Sequence, residues 1–298
     1  MTNSDITPLT PDALSERITA LCERYPSLVR RTLGKSILGR DIPLLLLGRG
    51  RRKHLYVATH HATEWLTSLL CLEFVAELCE ACEGRTRPYG IHADFLLTQR
   101  MLCFVPMLNP DGVAIHLGMR DDPLAERRAR MTEADDFSHW QANARGVDLN
   151  HNYAVGFVEY KAEECSLGIT GGAPTRYSGE APESEPETAA LAAFIRSVKP
   201  RFLMSLHTQG EEIYYRGGGC ELPGVRAAAM RLSSLSGYRI GEAQGPAAYG
   251  GLCDYTTAAL GIPSFTVECG RGENPLPPKD APFIYARIRR MLFESITM

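Results

Sequence analysis

Leu14, Ile18, Leu21 and Cys22 recur three and four positions apart, so Pro11 to Tyr25 reads as an amphipathic first helix. Two strands are predicted next, Val29 to Ser36 and Asp41 to Leu47, joined at Gly39. The unbroken apolar run Leu44 to Leu47 is too short for a helix and fits a buried strand. Leu55 to Thr59 reads as another strand, and from Trp65 to Cys82 the helical spacing returns through Leu66, Leu69, Leu70, Phe74 and Leu78. Met101 to Met107 is a further buried strand, followed by a strong turn signal, Asn109-Pro-Asp-Gly112. The stretch to about residue 181 keeps no period. Its density of Arg, Gly and Asn marks a long loop with short helices, and loops of that length in compact domains usually carry function. Ser184 and Glu187 read as a capping box that opens a helix from Pro186 to Val198. A strand at 202–207, a helix near 223–236, the segment Gly251 to Leu260, a strand at 263–268 and a helix at 281–295 complete the series. The alternation predicts an α/β fold: a single domain over residues 1–298 with a mixed, mostly parallel sheet and helices on both faces.

Composition narrows the classes. Hydrophobic residues make up 44% and charged residues 22% of 298, with a formal net charge of -3, so no electrostatic footprint for nucleic acid is expected. No stretch approaches the roughly 18 apolar residues of a membrane span, and the first residues show neither a basic nor an apolar leader segment. The expectation is a cytoplasmic protein without membrane partners, its oligomeric state open. Nine scattered cysteines fit free thiols; Cys79 and Cys82 form a CxxC without a second pair and are read as apolar helix residues.

The candidate chemistry sits at the exits of predicted strands. His61-Ala-Thr-Glu64 follows the run His54 to Thr59, and a turn there can set an imidazole and a carboxylate on one side of the backbone, as an open catalytic zinc site requires. Alone, such a pair is more often a solvated surface pair. His207 ends the run Phe202 to Leu206, and Glu268 ends Pro263 to Val267. Three ligands and a free carboxylate at strand exits are what metal-assisted hydrolysis needs. The bland alternatives are a satisfied core histidine at 207 and an ion pair of Glu268 with Arg271. His60 competes with His61, but strand neighbours point to opposite sides, so one of them fits. His54, His92, His116 and His139 read as surface or loop residues, Gly217-Gly-Gly219 as a turn, and Arg127-Arg-Ala-Arg130 as a solvated face.

Seven pieces, in order, carry a resemblance: Gly34 to Arg40 (GKSILGR), His61 to Trp65 (HATEW), Asn109 to Gly112 (NPDG), Gly146 to Tyr153 (GVDLNHNY), Ser184 to Glu187 (SEPE), Ser205-Leu-His207 and Thr266-Val-Glu268. Through them the chain resembles the zinc carboxypeptidase superfamily over nearly its whole length. The tail Glu268 to Leu276 (ECGRGENPL) points to its branch of γ-D-glutamyl-L-diamino-acid, or murein-peptide, peptidases. The resemblance implies a zinc carboxypeptidase-like fold and one Zn2+ on His61, Glu64 and His207. It also implies Glu268 as general base, passing the water's proton to the leaving amine, and a short peptide substrate with a γ-D-glutamyl link to a diamino acid such as meso-diaminopimelate.

Two departures bear on specificity. The family's Asn-Arg pair, which holds a terminal carboxylate, reads Asn150-His151 here, so the bidentate Arg fork is missing. Gln141 stands where relatives place an Arg that assists the oxyanion; Gln141 itself, Arg145 or another loop Arg is left to serve. Asn150, His151, Gln141 and Arg271 are the expected substrate contacts. The rival readings are a carboxypeptidase acting on ordinary C-termini, an amidoacylase-like relative and a non-catalytic peptide binder; the presence of all four catalytic residues speaks against the last.

Overall fold

The computed structural model describes residues 8–298. Thr10 accepts the Ala13 amide on its hydroxyl at 3.1 Å, and with Pro11 in the first turn this starts α1 (Pro11–Arg24), whose Leu14 and Ile18 are buried. A hairpin of β1 (Leu28–Lys35) and β2 (Asp41–Gly48) follows, turning at Gly39 with a φ of +83°. Then come β3 (Arg52–Ala58), α2 (Leu66–Glu83), α3 (Ala93–Gln99), β4 (Arg100–Val105), α4 (Pro110–His116), α5 (Ala125–Ala129), α6 (Phe157–Ser166) and α7 (Pro186–Val198). The last third holds β5 (Phe202–His207), β6 (Glu212–Tyr214), α8 (Val225–Ser236), β7 (Arg239–Ile240), α9 (Leu252–Asp254), β8 (Ser264–Glu268) and α10 (Ala281–Ser295).

The eight strands form one sheet in the order β1-β2-β4-β3-β5-β8-β6-β7, with a parallel centre of β4, β3, β5 and β8. Period-two alternation splits the core. Tyr56, Phe104, Phe202 and Phe265 pack under α1, α2, α8 and α10 on one face. Leu55, Val57, Cys103, Val105 and Leu203 pack under α7 and the loop residues Leu149 and Tyr153 on the other. From β3 the chain winds to β4 on one side, while β5 and β8 lie on the other. The connections therefore diverge between β3 and β5, and a crevice opens at the carboxyl ends of these strands. Among the described residues no helix is long and apolar enough to cross a membrane, and all nine cysteines are free.

Several local expectations are corrected. Asn109-Pro-Asp-Gly112 is the first turn of α4, not a reversal: the Asn109 side chain accepts the Gly112 amide at 2.9 Å, because Asx followed by Pro also caps helices. The capping box at Ser184 is absent; Glu185 is the N-cap, and the Glu187 carboxylate is drawn away to accept the Ile37 amide at 3.2 Å. His54 is a buried strand residue against Phe202, and burial lowers its pKa to about 4. Arg128 of the basic run is buried on Asp122.

Burial, reinforced by Asp111 and Glu185, pushes the Glu187 pKa up to about 7 from 4.5. Between these values the folded chain keeps a proton that the unfolded chain releases, so this carboxyl lowers stability as pH rises through the window and adds no further loss above about 7. Glu187→Gln is therefore expected to flatten the decline in urea-unfolding free energy between pH 5 and 8 by roughly 1–3 kcal/mol. An equal decline in both proteins would assign the pH dependence elsewhere.

Candidate active site

Beyond β3 the chain turns at Thr59, whose hydroxyl meets those of Thr67 and Ser68 at 2.8 Å each, and enters a single 3-10 turn, Ala62–Glu64. His61 caps that turn and Glu64 ends it, so His61 Nδ1 lies 2.8 Å from Glu64 Oε1. His207, the last residue of β5, brings its Nδ1 to 3.0 Å from Glu64 Oε2. Each oxygen of Glu64 thus faces one imidazole Nδ1, and the three side chains offer ligand atoms all within 4.8 Å of one another. The far nitrogens are engaged as well: His61 Nε2 by Asp148 Oδ1 at 3.1 Å and His207 Nε2 by Ser205 Oγ at 3.1 Å. Two imidazoles and a carboxylate converging, with outer hydrogen bonds that fix the rings, are a donor set suited to catalytic zinc.

The electrostatics point the same way. Burial opposes a charge on His61, yet Glu64 and Asp148 on its two sides outweigh it and hold its pKa well above the ordinary value. Despite burial, His61 and His207 bring the Glu64 pKa down to about 2. A nearly buried pocket that keeps two carboxylates ionised around one ring calls for a cation, a proton or a metal. His60 goes elsewhere: its Nε2 meets Tyr153 Oη at 3.1 Å, and burial, with His207 and His61 nearby, holds its pKa well below the usual value, so the ring is neutral.

Glu268, the last residue of β8, pairs in register with His207 and lines a cavity of about 190 Å³ with His61, His207, Asn150 and His151. Burial, then the charge on Glu64, push its pKa well above the carboxylate range. The alternative pairing with Arg271 is not found: Arg271 Nε sits 2.9 Å from Glu211, its side chain 76% exposed and outside the cavity lining. Gln141 also stays outside. Its Oε1 accepts from Thr175 Oγ1 at 2.9 Å and its main-chain carbonyl from the Ala62 amide at 3.0 Å, so it pins the ligand turn. Arg145 lies on Glu185 at 3.6 Å, likewise away from the lining. Two of the four expected substrate contacts, Asn150 and His151, thus reach the cavity; Gln141 and Arg271 do not.

Asp148 was missed as a site residue although it stands within the GVDLNHNY stretch. Its carboxylate accepts the Asn150 amide at 3.2 Å and the Arg176 amide at 3.1 Å, and it caps the short turn Leu149–His151. Tyr214, Arg216 and Asp254 also line the cavity and went unnoticed, because no spacing rule links them to the ligands.

With this fold and site in place, the class is clear: the chain belongs to the zinc carboxypeptidase family, whose profile matches residues 14–286. It is 34% identical over 273 residues to gamma-D-glutamyl-L-diamino acid endopeptidase 1 of Lysinibacillus sphaericus, covering 90% of this chain and 67% of that protein. It is 30% identical over 292 residues to the uncharacterized protein YqgT of Bacillus subtilis (strain 168), 95% of this chain and 76% of that one. The fold matches carboxypeptidase A from Helicoverpa armigera with a TM-score of 0.73 at 18% identity, over 99% of this chain and 75% of that chain.

Asp148→Ala is expected to weaken zinc affinity roughly 10- to 100-fold while the protein stays folded, since it frees the His61 ring without removing a ligand. Competition against a chromogenic chelator measures this. Unchanged affinity would show that Asp148 does not orient His61.

Proposed function

We propose that the chain hydrolyses the γ-D-glutamyl amide to a diamino acid such as meso-diaminopimelate in short murein-type peptides, with Zn2+ on His61, Glu64 and His207 and Glu268 as general base. One observation carries the choice against ordinary C-termini: the state of His151. Its Nδ1 lies 2.8 Å from the Tyr249 carbonyl oxygen, which only accepts, so that nitrogen bears the proton. Burial lowers its pKa, despite nearby Asp148, and the ring stacks on Tyr160 at 3.8 Å and 11°. A neutral imidazole so fixed presents an Nε2 lone pair, an acceptor, which repels a carboxylate and suits an N–H. The identity to the Lysinibacillus sphaericus endopeptidase supports the γ-glutamyl link.

Bound zinc supplies a Lewis acid and a water of near-neutral pKa. The protein's own contribution starts with Glu268, which faces that end of the cavity from β8. In its ionised form Glu268 would accept the water's proton, as a base strengthened by its raised pKa, and would hand it on to the leaving nitrogen. Asp148 and Ser205 keep the two imidazoles from rotating during the reaction. Asn150, whose Oδ1 accepts the Leu252 amide at 3.3 Å, orients its amide group in the same wall, ready to donate to substrate.

Glu268→Gln is expected to keep one zinc per chain while kcat falls by roughly 10²–10⁴. Activity within about tenfold of the parent would move the base elsewhere. L-Ala-γ-D-Glu-meso-diaminopimelate should exceed an α-linked peptide in kcat/KM by up to roughly 10⁴–10⁵, the discrimination of a site whose polar groups go unpaired with the wrong ligand. Comparable values would overturn the γ-glutamyl assignment and leave the zinc peptidase standing.

A further inference from the structure

Away from the ligand triad, the cavity has a second polar wall that the hydrolytic chemistry does not use. Asp254 is 8% exposed, and its carboxylate accepts the Gly218 amide at 2.8 Å and the Gly251 amide at 2.9 Å. Among the described residues no basic side chain pairs with it, and burial raises its pKa to about 6. A carboxylate has about four acceptor positions, so two remain for a donor from the cavity.

Arg216 lines the same cavity. Its Nε and one Nη each lie 2.7 Å from Glu221 Oε2, and the guanidinium rests over the Tyr215 ring at 5.6 Å. The other Nη is 3.7 Å from Glu242, so three of its five N–H donors are not taken up by Glu221. Arg216 and Asp254 are tied together by the glycine run between them in space. A Cβ at Gly217 would stand 2.4 Å from the Cys253 carbonyl oxygen, and Gly218, at a φ of +57°, turns its N–H onto Asp254. The loop that begins at Arg216 is thereby pressed onto the α9 backbone that carries Asp254. A buried acid and a half-exposed guanidinium, the latter already paired with Glu221, line the same cavity as the ligand candidates His61 and His207.

We propose that this wall binds a zwitterionic amino-acid head at the end of the substrate side chain, its ammonium on Asp254 and its carboxylate on Arg216. The inference rests on the γ-glutamyl reading above and sharpens it: the leaving residue is a diamino diacid, whose side chain ends in a second amino-acid centre, rather than a lysine or ornithine. An acid with no cation of its own gains one from the ammonium, and a guanidinium matches a carboxylate better than any other side chain.

Three γ-linked peptides test the two contacts separately on the zinc-loaded enzyme: L-Ala-γ-D-Glu followed by meso-diaminopimelate, by L-lysine, which lacks the distal carboxylate, or by α-aminopimelate, which lacks the distal amine. The diaminopimelate peptide should lead each of the others in kcat/KM by roughly ten- to a hundredfold, as expected for one lost charged hydrogen bond. Arg216→Ala should reduce the diaminopimelate-over-lysine ratio at least about tenfold, and Asp254→Asn should do the same to the diaminopimelate-over-aminopimelate ratio. If Asp254→Asn does not fold, as judged by zinc content, the Arg216 variant and the three-peptide series still decide. Cleavage of all three peptides within about threefold of one another overturns the zwitterion wall and leaves the γ-glutamyl reading intact, since each pair should differ by at least tenfold. A ratio unmoved in Arg216→Ala removes Arg216 from the wall. Cleavage of none of them, with an α-linked peptide cleaved, overturns both.

Discussion

Glu64 sits between two imidazoles, one on each oxygen, and the site is organised by that sharing. A buried carboxylate is tolerated only when fully compensated, and here one of the two compensating rings, His207, stands 143 positions further along the chain. The turn after β3 presents His61 and Glu64 together, while parallel pairing of β3 with β5, and of β5 with β8, brings His207 and Glu268 alongside. Slipping β5 by one residue would turn His207 to the opposite face of the sheet and leave Glu64 half compensated. Strand register and metal chemistry are therefore one constraint.

The long segment between α4 and α7 meets a second demand, delivering Asp148 and the cavity wall. It does so largely through buried polar side chains that satisfy its own backbone. Asn143 accepts the Arg145 and Val147 amides at 3.0 Å each and donates to Glu185 at 2.8 Å. Asn152 donates to the Ser178 and Ala181 carbonyls at 2.7 and 3.0 Å. Glu164 accepts the Ser178 amide at 2.8 Å. A loop without a regular ladder must find partners for each buried N–H and C=O, which is why this stretch is rich in Asn and acidic residues. The network also explains why Gln141 serves structure: its carbonyl takes both the Ala62 amide and the Asn109 side chain, fastening the loop to the ligand turn.

The ligand candidates His61 and His207 share one cavity with polar residues from other segments. The wall of Asn150 and His151 offers neutral groups, whereas the charged residues Arg216 and Asp254 line the same cavity from other segments of the chain. On the proposed reading, positive charge would hold the side-chain end of the substrate rather than its main-chain end, which changes which part of a peptide is held. The zinc site itself need not change.

Much of the fold was legible from local pattern. The apolar runs of β2, β3, β4, β5 and β8 and the helical spacing of α1, α2, α7 and α10 depend on period alone, and helices α7 and α10 have the expected bounds. The ligand candidates were legible too, because each stands at the exit of a strand, and the strand pattern announces where the chain must emerge. What failed were signals with more than one structural use. Asn-Pro-Asp-Gly suits a reversal or a helix start, and Ser184-x-x-Glu187 suits a capping box unless a distant amide, Ile37, claims the glutamate. The two-residue β7 and three-residue β6 are too short to carry a period and exist because β8 offers an edge. Asp148 at the back of His61, the neutral tautomer of His151 and the closing of the Gly218 amide onto Asp254 were decided by tertiary structure alone. Each depends on a contact between segments from 36 to 98 residues apart, and no periodicity in a chain encodes which loop will close over which strand.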